Sequence, residues 1–223
     1  MKKILLVVLL VLLAGCAKTK DFSHGLSQMN AVNSKYNITY GSYPADVNQI
    51  DVIINSYREL KELKLDNDQE AFNELVDYRL LTFESDKQFV NSLKYGDAGT
   101  TKKGFGCKIR PLIIETVKFK NESAMKGFEA ISKLKDFVDK YPQNSKLANL
   151  SQKDVIFLNA TFYELSKDAN TDSNVINSFC PENITLEIYV QGFKKIENLS
   201  DDYVNSLTYE QAVKLWKQIN KIE

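Results

Sequence analysis

The residue types able to carry chemistry are few and poorly clustered. The 223-residue chain has one histidine, His24, so no Ser-His-Asp or Cys-His arrangement is expected in the main body of the chain. The same scarcity excludes the paired Glu-x-x-His motifs of di-iron bundles and the two-histidine helix of zinc proteases. Carboxylates remain. Glu70, Glu74 and Asp77 fall on one helical face, an arrangement suited to acid–base work or to a cation. An acidic, solvated face beside an apolar stripe is the simpler account. Asp66-Asn67-Asp68 begins like a calcium loop, but Ala71 stands where the loop needs glycine and Asp77 where it needs glutamate. A capping role suits it better. Gly104-Phe105-Gly106 lacks the third glycine and the Lys-Ser/Thr pair of a phosphate cradle. No catalytic residue, metal site or cofactor site is predicted.

The three cysteines point elsewhere. Met1-Lys2-Lys3 is followed by an apolar run from Ile4 to Leu13, then Ala14-Gly15-Cys16. A charged start, a short apolar core and small residues before a cut are the parts of a secretory signal. The run is shorter than the roughly 20 apolar residues that a spanning helix needs. Leu13-Ala14-Gly15-Cys16 resembles the lipobox of prokaryotic lipoproteins, a likeness confined to the start of the chain. The resemblance implies cleavage after Gly15, a diacylglycerol on the Cys16 sulfur, and an extracytoplasmic protein lipid-anchored at the cell surface or on a periplasmic membrane face. Two or more acyl chains anchor stably where one does not.

In an exported chain the other two cysteines, Cys107 and Cys180, read as one disulfide. Neither sits in a C-x₂₋₄-C pair of the kind that zinc sites use. Basic and acidic side chains balance at 29 each, and they interleave along the helical stretches as on a solvated surface. No nucleic-acid partner is expected. Six Asn-x-Ser/Thr triplets, at Asn37, Asn121, Asn149, Asn159, Asn183 and Asn198, are candidate glycosylation acceptors. Several coincide with places where helix caps belong.

The elements that must position these residues read as helices. Residues 1–15 form the signal, 16–45 a flexible tether rich in small polar residues, and 46–223 one helical domain. Asp46 caps a first helix carrying Val47, Ile50, Ile54, Tyr57 and Leu60. A second runs from about Asn67 along Phe72, Leu75, Val76, Arg79, Leu80 and Phe83 to Leu93. Gly96–Gly104 reads as a loop. Pro111 opens a third, with a break near Asn121, that ends before Pro142. Ser151-x-x-Asp154 starts a fourth and Asp168–Ser173 closes it with a polar loop. Two more are expected over Pro181–Asn198 and after Thr208-x-x-Gln211. The prediction is all-α: about six helices in three antiparallel pairs, an irregular bundle or a short helical solenoid. Ala130-x₃-Leu134-x₂-Phe137-x₃-Tyr141-Pro142 resembles the second helix of a tetratricopeptide repeat, as in envelope-assembly lipoproteins. The preceding helix lacks that motif's Trp, Leu-Gly and Tyr positions.

These features together predict a membrane-anchored module that binds or scaffolds at the cell envelope, its partners being the membrane, through the lipid on Cys16, and another envelope protein. The alternatives are a solute-binding lipoprotein and a histidine-free, carboxylate-dependent hydrolase of wall polymer.

Overall fold

The computed structural model describes residues 19–38, 46–100 and 109–179, together with Thr208 and Lys214. The described part is all-helical, with no strand among the described residues. Six helices follow in order: α1 Phe22–Lys35, α2 Val47–Leu60, α3 Gln69–Thr100, α4 Arg110–Lys140, α5 Pro142–Leu147 and α6 Gln152–Phe179.

Local chemistry explains the boundaries. Asp46 adopts extended backbone and its carboxylate accepts from the Asn48 N–H at 3.1 Å, capping α2 as its position predicts. Pro111 sits in the first turn of α4, where a missing N–H leaves nothing unsatisfied. At the other end Tyr141, forced out of helical geometry by Pro142 (φ −125°, ψ 60°), separates α4 from α5. Asp154 accepts from both the N–H and the hydroxyl of Ser151, each at 2.9 Å, so the shortened capping box forms before α6. Asn37 and Asn149 have positive φ (52° and 54°) just beyond α1 and α5, the left-handed stop that asparagine tolerates.

The helices lie side by side and antiparallel. Lys61 reaches Asp77 and Lys87 reaches Asp51, which sets α2 against α3. Lys133 on Glu74 and Ser123 on Ser85 set α4 against α3. Lys120 on Asp172 sets α6 against α4. The order α2, α3, α4, α6 is therefore a row in which each inner helix is flanked by two others of the row, not three separate hairpins. Small residues let α3 and α4 come close. The buried Ser85 hydroxyl donates to the Ser123 carbonyl at 2.7 Å.

Four departures from the sequence reading have physical causes. The stretch expected as a tether contains α1, whose Phe22, Gly25 and Met29 are buried. Asp21 caps it by accepting from His24 N–H at 3.0 Å, and Phe22 stacks on Phe137 and meets Phe72 edge-on. Gly25, a flexibility signal by composition, serves close approach: a Cβ there would stand 2.7 Å from the Phe72 ring. Where a loop was expected from Gly96, α3 persists to Thr100; residues 101–108 lie outside the described residues. Asn121 breaks nothing, because Ser123 and Ala124 beyond it are buried and α4 is continuous. Asp168–Ser173 is helical because buried Ser166, Ala169 and Ser173 continue the α6 stripe with small side chains, while Asp172 pairs with Lys120. The helices predicted over Pro181–Asn198 and after Thr208 fall outside the described residues, Thr208 and Lys214 apart.

Candidate functional site

Among the described residues, ionisable groups strongly perturbed by burial gather where α2 meets α3. Helical spacing places Arg79 two turns before Asp86, and Tyr78 is fully buried beside them. The Arg79 guanidinium lies 5.2 Å from the centre of the Tyr78 ring, within cation–π reach. Tyr57, buried on α2, packs edge-on against Phe83 at 4.9 Å, and its hydroxyl donates to the side-chain Oδ1 of Asn33 on α1 at 2.5 Å.

Burial governs the proton affinities. Desolvation pushes the Asp86 carboxyl up to about 7, opposed by the positive charge of Arg79. Tyr57 is pushed up to about 12 by burial, again opposed by Arg79 and by its bond to Asn33. Tyr78 moves up for the same first reason. One arginine thus faces three acids whose charged forms the interior disfavours. Asp86 as a residue is half-buried, and burial desolvates its carboxyl. Chemically, an acid that titrates near neutrality beside a fixed cation can hold or pass a proton.

The residues singled out in the sequence are mostly engaged in holding helices together. Glu74 pairs with Lys133 at 3.0 Å and Asp77 with Lys61 at 2.7 Å. Glu70 lies by Tyr141, whose hydroxyl is pushed up mainly by desolvation and then by that carboxylate. The Asp66 carboxylate accepts from the Lys20 N–H at 2.7 Å. No group of three or more potential metal ligands occurs among the described residues. His24 is half-buried on α1. Cys16, Cys107 and Cys180 lie outside the described residues, as do Gly104-Phe105-Gly106, Asn183 and Asn198. Of the other triplets, Asn37 and Asn149 are exposed beyond helix ends and Asn121 lies within α4. Asn159 is buried and its side-chain nitrogen donates to the Val155 carbonyl at 2.8 Å.

Sequence reading missed Asp86. The available signal was Arg79, a cation within an otherwise apolar stripe, with a carboxylate seven residues on. No family model, no curated protein and no solved structure matches this chain.

Proposed function

We propose that this chain is an extracytoplasmic lipoprotein, anchored through Cys16, that binds or scaffolds other envelope proteins. The observation that carries the reading is the Leu13-Ala14-Gly15-Cys16 box standing directly before a packed helical bundle. Support for a binding role comes from the bundle's outer surface. Leu93 near the end of α3 and Val175 near the end of α6 are exposed, at 41% and 44%. Both lie toward the bundle end remote from α1's start.

The cysteine pair belongs to the same proposal. α4 begins three residues after Cys107 and α6 ends one residue before Cys180. Because α4 and α6 run antiparallel, with Lys120 on Asp172 at 2.7 Å, those two helix ends lie at the same end of the bundle. That placement supports a Cys107–Cys180 disulfide.

The test is intact mass analysis of the exported protein with cross-linking in living cells. A diacylglycerol on Cys16 and reproducible capture of one envelope protein are expected. An unmodified Cys16, or membrane binding unchanged in Cys16→Ser, would remove the anchoring.

A further inference from the structure

Lys20 stands four residues beyond Cys16, and its backbone already belongs to the fold. Its N–H donates to the Asp66 carboxylate at 2.7 Å, and its carbonyl accepts from the Asp66 N–H at 2.6 Å. Asp21 then caps α1, and Phe22, 1% exposed, is stacked on Phe137 at 6.1 Å. The chain between the sulfur-bearing residue and this fixed point spans at most about 14 Å, even fully extended. By contrast α3, with 32 residues, is about 48 Å long. A link this short against a body this long restricts orientation as well as distance.

The fixed point also selects one end of the bundle. Asp66 lies in the α2–α3 connection, and Phe22 packs between Phe72 in the first turn of α3 and Phe137 in the last turn of α4. Tyr141, beside Glu70, leads into α5 at this same end. Resting on the lipidation proposed above, we infer that this end of the bundle faces and contacts the bilayer carrying the Cys16 lipid, with α3 and α4 projecting away from it. The occupant is the lipid surface itself. Lys64, Asp68, Glu70, Lys140 and Lys146 are exposed here. Their signs are mixed, so the short link rather than charge attraction sets the orientation. Leu147 on α5, 58% exposed, is an apolar side chain presented at this end to the headgroup region. The opposite end, with Leu93 and Val175, is left for protein partners.

The experiment uses the full acylated chain in vesicles of phosphatidylethanolamine and phosphatidylglycerol containing a headgroup-linked energy-transfer acceptor. A donor fluorophore is placed through an unnatural amino acid at exposed Asn67 or exposed Lys94. Gln69 to Lys94 rises about 38 Å along the helix, so transfer from Asn67 is expected to exceed that from Lys94 by about twofold or more. Inserting about 20 Gly/Ser residues between Ala17 and Lys20, a coil of roughly 25 Å, should bring the two values together. Equal transfer in the parent chain, or greater transfer from Lys94, overturns the orientation. Mass analysis of the same samples separates the two ideas: an acylated chain with equal transfer defeats the orientation alone, while a chain lacking the lipid defeats the anchoring.

Discussion

A carboxyl enclosed by protein resists ionisation, and the consequence for Asp86 is a stability that depends on pH. Its proton affinity is raised in the folded chain to about 7 from an ordinary 3.8. Between those values the folded chain keeps a proton that the unfolded chain has lost. The contribution of Asp86 is thus fully present below about pH 4, declines as pH rises towards 7, and is gone above it. The slope is at most about 1.4 kcal/mol per pH unit. Asp86→Asn abolishes this ionisation while keeping the shape, so it should raise the urea midpoint relative to the parent at pH 8 and alter it little at pH 4. Equal midpoint differences at both pH values would show that Asp86 titrates normally. The residue was illegible in the sequence because burial depends on which helices flank α3. Arg79 was visible in the apolar stripe, yet nothing local says that its charge meets Tyr57, Tyr78 and Asp86 together.

At the scale of the helix, most of what the sequence shows is the apolar stripe, and it misleads where small residues carry the contact. α6 runs through Asp168–Ser173 because the small side chains of Ser166, Ala169 and Ser173 continue its buried face. In α4 the same principle is sharper: a Cβ on Gly127 would lie 2.3 Å from the Phe162 ring. Gly127→Ala should therefore cost about 1–3 kcal/mol despite its better helix propensity. Chemical denaturation measures this, and pairing the change with Phe162→Leu should recover part of the loss. α1 was hidden for a related reason, since Gly25 and the polar residues around it read as tether. Phe22→Ala removes a fully buried ring and should destabilise the bundle by about 3–5 kcal/mol. Under the tether reading the same change would leave the denaturation midpoint where it was.

For the whole molecule, helix class and several boundaries were legible because Pro111, Pro142, Asp46 and the Ser151–Asp154 pair act locally. The row order of helices was not, since it rests on contacts such as Lys120 with Asp172 that are 52 residues apart. That long separation also decides what a disulfide would do. A Cys107–Cys180 bond closes a loop of about 73 residues, and removing this freedom from the unfolded chain is worth roughly 4 kcal/mol in the chain-entropy account. It would act at the junction of α4 and α6, where the helices' mutual contacts would otherwise be free to fray. Reduction, or the Cys107→Ser and Cys180→Ser changes, should therefore lower the thermal midpoint. The double change should cost no more than either single one, because each alone already breaks the bond. Hydrogen exchange should rise first in the early turns of α4 and the late turns of α6, with α1 and the first turns of α3 keeping their protection. Unchanged thermal midpoints in all three variants, with free thiols in the exported protein, would mean that the bundle is held by its packing alone.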